Sequence, residues 1–490
     1  MPIDTLPNNV FLEVFNFCLD DHTEFSVSHA RSWQTLVHVC QRWREIIFAS
    51  PRRLNLHLNC SYGTPVRKNL IFWPVNLPLI INYPSILTRI SPEDEDNVVA
   101  ALEHPSRVHR IMIHAAAPLI KKVTTTLQKS FPVLAYLDLV YHGQPTHRPV
   151  IPRRFLGESA PRLQHLSLKS ISCPQLPTLL SARDLVTLNL DQIFPNGYMS
   201  PKVLVTNLAV LTKLTSLDIS FYEETSPPHQ WRSHPQPPMR TILPALTRLN
   251  YDGRTEYLED LLARIDTPRV KFVNIAYDTP LIQASQLILF IERTENLKVD
   301  RFTRVETYFN FAEFYIKLNC PREKCSQAPL FLRICGQDDV ETQVQDVADL
   351  FGQLTAPFSK VDDLLVRCGD AAEYGAFDTD EWMPLLRLFP AVETLRISGE
   401  MAVFFTSALG NTPEDMVTNV LPALRVIRLV EDEDEEMGMY EGEDEDDYKE
   451  QVESMDRFLS LRQLSGCPVT ISHPSPLDSD SSEDDDIDDI

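Results

Sequence analysis

The sequence predicts an α/β chain in three parts. A small helical module comes first, an irregular repeat solenoid of short strands follows, and an acidic disordered loop and tail lie at the end. Three observations carry this reading: helix-spaced apolar residues in the first fifty positions, one apolar pattern that recurs nine times, and acid packed into two short C-terminal runs. At 490 residues and 43% hydrophobic the chain is too long for one compact core and too apolar to be wholly disordered.

The N-terminal module spans residues 1–50. Leu6-Pro7 opens a helical pattern with Val10, Phe11, Val14, Phe15 and Cys18 at three- and four-residue spacing, and Pro in a first turn costs no backbone bond. After a polar break over Asp20–Glu24, a second helical stretch places Trp33, Leu36, Val37, Cys40, Trp43 and Ile47 on one face and ends at Ser50-Pro51. Two or three short amphipathic helices bury too little surface to be very stable alone. They need a partner or the following domain.

Residues 51–107 read as a connecting and capping segment, and 108–430 as the repeat body. The pattern is apolar, two of any kind, apolar, one of any kind, apolar. It runs from Leu134-x-x-Leu137-x-Leu139 through Leu163, Leu185, Leu214, Leu246 and Val270, and resumes at Val361, Val392 and Leu424. The early steps are 29, 22, 29, 32 and 24 residues and the late ones 31 and 32. This period resembles that of leucine-rich repeats. Each Leu-x-Leu predicts a short strand with one face inward, and each unit leaves an apolar edge that only its neighbour covers. The Asn or Cys that usually follows the strand in such repeats is missing, with Ile171, Ile193 and Tyr222 in its place, so an irregular, long-helix variety is expected. Leu281–Gly352 fits the pattern poorly. There, Leu330-x-Leu332-x-Ile334 reads as a strand, while Leu287, Phe290 and Ile291, and again Phe311, Phe314, Tyr315 and Leu318, read as helix. Thr225–Thr241 is Pro-rich and reads as an exposed loop.

The net charge is −24. Glu431–Glu450 holds 13 acidic residues and one Lys, and Ile471–Ile490 holds eight acidic residues and no Lys or Arg. The remaining 450 residues are close to neutral, with 44 basic and 48 acidic. A general basic surface for nucleic acid is therefore excluded. Residues 431–450 read as an acidic disordered loop, 451–472 as a C-terminal cap with a closing strand at Pro468–Ile471, and 473–490 as an acidic disordered tail. Ser481 and Ser482 each have an acid three residues on, Asp484 and Asp485, the spacing an acid-directed kinase would use.

Nine Cys are scattered with no CxxC, no secretory signal opens the chain, and the greasy stretch Ile71–Leu87 is broken by Pro74, Pro78 and Pro84. A reducing compartment, cytoplasmic or nuclear, is expected, with the thiols as small core residues and the Asn59-Cys60-Ser61 sequon idle. The sequence contains no Walker loop, GxGxxG, HExxH or GxSxG, so no catalytic residue, cofactor or metal is expected.

The N-terminal residues resemble an F-box: the opening Leu6-Pro7, the helix over Val10–Phe15, and the run Leu36-x-x-Val39-Cys40-x-Arg42-Trp43-Arg44. The continuation Ser50-Pro51 into Leu54, Leu56 and Leu58 is similar to fungal, especially basidiomycete, F-box proteins with C-terminal leucine-rich repeats. Asp21–Arg31 is longer than the usual linker. The resemblance implies a substrate-recognition subunit of a cullin–RING ubiquitin ligase that docks on a Skp-type adaptor and captures a protein substrate on its repeats. The adaptor-binding residues it implies are Leu6, Pro7, Val10, Phe11, Val14, Leu36, Val39, Cys40 and Trp43. The same residues forming the private core of a helical cap is the alternative at that site. For the whole chain, the alternative is a non-ubiquitin acidic leucine-rich scaffold that binds basic proteins such as histones, although such proteins begin directly with repeats.

Overall fold

The computed structural model describes residues 6–19, 33–51, 53–54, 56–84, 90–143, 148–194, 197–222, 239–277, 285–309, 313–320, 328–335, 340–354, 358–368, 379–398, 406, 409–410, 412–414, 416–430 and 445–472. The predicted disordered tail, most of the acidic loop, the Pro-rich loop through residue 238, and the Ser481/Ser482 pair lie outside the described residues. The chain divides into two compact units, Met1–Trp231 with Leu243–Leu246, and Arg232–Ile242 with Thr247–Ile490.

Unit 1 begins with helices α1 (Asn8–Leu19), α2 (33–37) and α3 (Gln41–Ala49). The single helical stretch predicted over Trp33–Ile47 is thus two helices. The break falls at Cys40, whose extended backbone and Sγ, accepting from the Trp43 amide at 3.4 Å, start a new helix. A parallel ladder follows in chain order: β1 (Leu58–Cys60), β2 (Leu79–Tyr83), β3 (Val108–Ala115), β4 (Tyr136–Tyr141), β5 (His165–Lys169), β6 (Thr187–Ile193) and β7 (Ser216–Phe221).

The ladder therefore starts at Leu58, not at residue 108: two strands, β1 and β2, belong to the segment read as a connector, and β3 opens the predicted body. Their inward positions are Leu79, Ile81, Tyr83, Ile111 and Ile113, all essentially buried. These Ile- and Tyr-bearing strands lack the Pro-led Leu that marks the later repeats. Between strands lie α4 (Val66–Phe72), α5 (Pro92–Leu102), α6 (Ala117–Thr126) and α7 (Pro201–Leu208), of 7 to 11 residues. Two coils have only 3-10 turns, Phe155–Glu158 and Pro177–Ser181. The expected long helices are corrected to short ones, because steps of 22 to 32 residues that also hold a strand and two turns leave little chain for a helix.

Unit 2 carries β8 (Thr241–Ile242) paired with β10 (Ile265–Asp266), and a larger sheet. The sheet comprises β9 (Arg248–Gly253), β11 (Phe272–Tyr277), β12 (Arg304–Phe309), β13 (Glu313–Asn319), β14 (Leu330–Cys335), β15 (Asp363–Cys368), β16 (Thr394–Ser398), β17 (Val426–Val430) and β18 (Thr470–Ser472). In space β11 is followed by β14, β13, β12 and then β15, and β13 runs antiparallel to both neighbours. The helix predicted over Phe311–Leu318 is therefore the strand β13. Phe314, Ile316 and Leu318 alternate at period two and are fully buried. The helices of this unit begin with α8 (Thr255–Leu262); the helix predicted around Leu287 and Phe290 is present as α9 (Ser285–Arg293), α10 (Val340–Gly352) and α11 (Thr379–Leu386) follow, and the closing strand is β18. The helix α12 (Glu445–Leu464) starts inside the predicted acidic loop.

All nine Leu-x-Leu segments lie on strands. In unit 1 the register aligns Ile111, Leu137, Leu166, Leu188 and Leu217 in one buried column. In unit 2 a column runs from Leu249 through Val273, Leu330, Leu318, Val305, Leu364, Leu395 and Ile427 to Ile471. A recurrent turn precedes the strands, with the amide of the first apolar residue donating three residues back. It is seen at Leu134 to Phe131, Leu163 to Ala160, Leu246 to Leu243, Val270 to Thr267, Val392 to Phe389 and Leu424 to Leu421. In these six turns Pro holds the second position, where its fixed φ pre-forms the bend. The usual polar residue after the strand is replaced by packing: Ile171 and Ile193 are buried, and the Tyr222 ring lies 4.5 Å from Phe194.

Candidate protein-docking site

Helix α1 carries two apolar stripes. At about 100° per residue, Phe11, Leu12 and Phe15 share one side and are buried, while Pro7, Val10, Val14 and Phe17 share the neighbouring side and are exposed. Phe17 is 84% exposed, Val14 46% and Val10 38%. The buried stripe closes on α3. The Trp43 ring meets Phe15 edge-on at 4.9 Å and Phe11 at 5.9 Å, and Phe11 and Phe15 lie 5.8 Å apart.

Polar contacts fix the angle between these helices. The Pro7 carbonyl accepts from the amides of Val10 (3.0 Å) and Phe11 (3.3 Å), which starts α1. The Arg42 guanidinium donates to the Leu6 carbonyl (2.6 Å) and to Asn8 Oδ1 (3.1 Å), and stacks 4.9 Å above the Phe11 ring. Arg44 Nε donates to the Val37 carbonyl at 2.9 Å, tying α3 to α2, and Arg53 pairs with Glu13 on the surface. The helices are seated on the first coil of the ladder. Trp33 is fully buried with its ring 5.1 Å from Trp73 and 6.3 Å from Phe48, and Asn76 Nδ2 donates to the Phe48 carbonyl.

This geometry divides the nine predicted residues. Pro7, Val10, Val14 and Val39 are exposed, Val39 by 57%, and Leu6 and Leu36 are half-buried. Phe11, expected on the presented edge, is instead 1% exposed because Trp43 and Phe15 pack over it. Trp43 packs behind the edge, and Cys40 serves as the helix cap. Phe17 was missed, although its spacing of three from Val14 and seven from Val10 marks it. Ile71, Phe72 and Val75, at the end of α4 and just beyond it, are also exposed and were missed. Seven of the fifteen large exposed apolar side chains among the described residues lie within the first 75 positions, far above their share of the chain.

The buried thiol of Cys60, in the first ladder strand, is chemically quiet. Burial pushes the Cys60 thiol up to about 12, against the lowering effect of its 3.6 Å contact with the Tyr83 hydroxyl. Among the described residues no group of three or more His, Cys, Asp or Glu is arranged to hold a metal ion, and no helix is long and apolar enough to cross a membrane.

Comparison with protein-family profiles and with curated proteins finds no match. Among solved structures, the chain is similar to the leucine-rich repeat-containing protein LegL7 from Legionella pneumophila. The match covers 81% of this chain and 97% of that one, at 12% identity and a TM-score of 0.27.

Proposed function

We propose that this chain is a non-catalytic receptor subunit of a cullin–RING ubiquitin ligase, with the N-terminal helices docking on a Skp-type adaptor and the repeats holding a protein substrate. The observation that carries the reading is the exposed stripe Pro7, Val10, Val14 and Phe17 on a helix whose other apolar side is already satisfied by Phe15 and Trp43. A second apolar stripe left in water beside a finished core is a surface for another subunit. It sits in the segment whose Leu6-Pro7 and Val39-Cys40-x-Arg42-Trp43 resemble an F-box.

A standard interface would cover ~1,600 Å² in all, and one aromatic anchor is worth about 2 kcal/mol or more. Phe17 is placed to be that anchor. The chain itself would break no bond; it would hold substrate near a ubiquitin-charged enzyme and raise its local concentration.

A pull-down with purified Skp-type adaptor tests this. Wild type is retained, and Leu6→Ala/Pro7→Ala and Trp43→Ala lose retention. Equal recovery of all three, with the variants shown to be folded, defeats the proposal.

A further inference from the structure

We infer that the outward face of the larger sheet in unit 2 is a docking surface for an acidic polypeptide segment. The inference rests on the reading of the repeats as a protein-binding face, and it adds the chemistry of the partner. Strand residues alternate, so those between the buried columns face outward. On β9 and β11–β17 these include Lys317, Arg333, Arg367, Arg396 and Arg428, with Arg248 and Arg304 at the strand starts. They face three acids, Asp252, Glu306 and Asp363, giving seven basic against three acidic among the residues whose side chains are described. The outward positions of β3–β7 in unit 1 carry only Arg110 and Lys169 against Asp138, Asp191 and Asp218. A positive face in a chain of net charge −24 runs against composition.

Ion pairs offset part of that charge, and Asp252 meets Arg333 at 3.8 Å. Glu306 is shared by Lys317 at 3.0 Å and Arg367 at 3.7 Å. Asp363 is shared by Arg304 and Arg396, each at 2.8 Å. These two carboxylates thus each answer two cations. Arg428, one strand on from Arg396 in the same register row, is exposed and makes no ion pair with any described residue. An open groove of about 330 Å³ lies among Arg304, Arg396 and Arg428, with Asp362, Asp363, Glu393 and Thr394 completing it. Aromatic planes lie further along the same sheet face: Tyr308 and Tyr315 stack at 4.9 Å, and Lys317 Nζ stands 4.6 Å from the Tyr315 ring centre.

Such a face fits a segment that brings a few carboxylates to the cations and side-chain stems to the tyrosines. A continuous polyphosphate is disfavoured by the built-in acids and by the chain's overall charge.

The test is fluorescence anisotropy on the full chain. The probes are a fluorescein-labelled peptide of repeated Asp-Glu-Tyr, its Asn-Gln-Tyr counterpart and single-stranded oligothymidylate. The acidic peptide binds best and weakens with added salt. Arg428→Glu weakens it about tenfold, while Arg428→Lys and the unit 1 variant Lys169→Glu leave it unchanged. Equal binding of the Asn-Gln-Tyr peptide, tighter binding of oligothymidylate, or no effect of Arg428→Glu overturns the inference. Adaptor pull-down on the same Arg428→Glu preparation separates the two readings: retained capture with lost peptide binding leaves the head's role intact, and loss of capture refutes the assignment of Arg428 to a separate surface.

Discussion

The N-terminal head and the repeat ladders treat their apolar side chains in opposite ways. In the ladders the Leu, Ile and Val columns face inward and are buried, and the outward positions are filled largely by polar, charged and aromatic residues whose faces are half covered. In the head, Phe11, Phe15 and Trp43 form a small closed cluster, and Val10, Val14 and Phe17 are left in water beside it. A ladder strand can hide its apolar side because its neighbours supply the cover. A helix with two apolar stripes and one packing neighbour cannot. Under the proposed function, the head makes a contact that removes greasy surface from water, and the ladder face one tuned by charge.

The sharpest way to break this contrast is to empty the head's closed cluster. Phe15→Ala removes the ring that meets Trp43 edge-on and should cost about 3–5 kcal/mol locally, which limited proteolysis reads as rapid cleavage within the first fifty residues. Val14→Asp, on the open stripe, should stay within about 0.5 kcal/mol of wild type in the same assay. Similar cleavage of both would mean the two stripes are not different.

In unit 2 the buried end of α12 offers a second test. Arg462 is fully buried and donates to the carbonyls of Val417 (3.3 Å), Leu421 (3.4 Å) and Leu424 (3.0 Å), and burial lowers its pKa from the usual arginine value. Arg462→Met leaves those carbonyls without their donor and should cost about 3 kcal/mol, seen as a lower unfolding midpoint in denaturant.

Smaller effects sharpen the picture of the ladder interior. Cys60 and Cys173 are buried thiols raised to about 12, so they should resist a maleimide at mildly alkaline pH while exposed Cys18 and Cys467 react at once. Mass spectrometry of the labelled chain counts them. The smallest effect is on pH dependence. Burial, then Arg110, holds the His165 imidazole below its ordinary 6.5, with Asp138 and Asp218 opposing. The unfolded chain therefore takes up this proton first. Stability is intact above pH 6.5 and declines as pH falls below it toward the folded value. His165→Phe, which keeps the 4.2 Å stack on Tyr136, should flatten that acid-side decline in thermal melts.

Much of the ladder was legible in the sequence because six of its strands announce themselves twice, by Pro at the second position of a turn and by a Leu-x-Leu-type pair that starts five residues after it. Where either signal fails, so does the reading. Strands β1 and β2 lack the Pro-led turn, β3 has one from His104 to Arg107 but no Leu-x-Leu, and in the sequence Phe311, Phe314, Tyr315 and Leu318 fit helix spacing as well as Phe314, Ile316 and Leu318 of β13 fit strand alternation. Pairing on both edges decided for the strand. In the head, spacing located α1 but could not say which stripe is covered. That depends on where Trp43 lands after the break at Cys40, which buries Phe11, expected on the presented edge, while Phe17, not singled out by the sequence, stays exposed.

Isothermal titration of the full chain with purified Skp-type adaptor, wild type against Val14→Asp/Phe17→Asp, addresses the open stripe itself. The account predicts saturable binding by wild type and none by a variant whose thermal melt is unchanged. Equal heats from both proteins, or none from wild type, would contradict it.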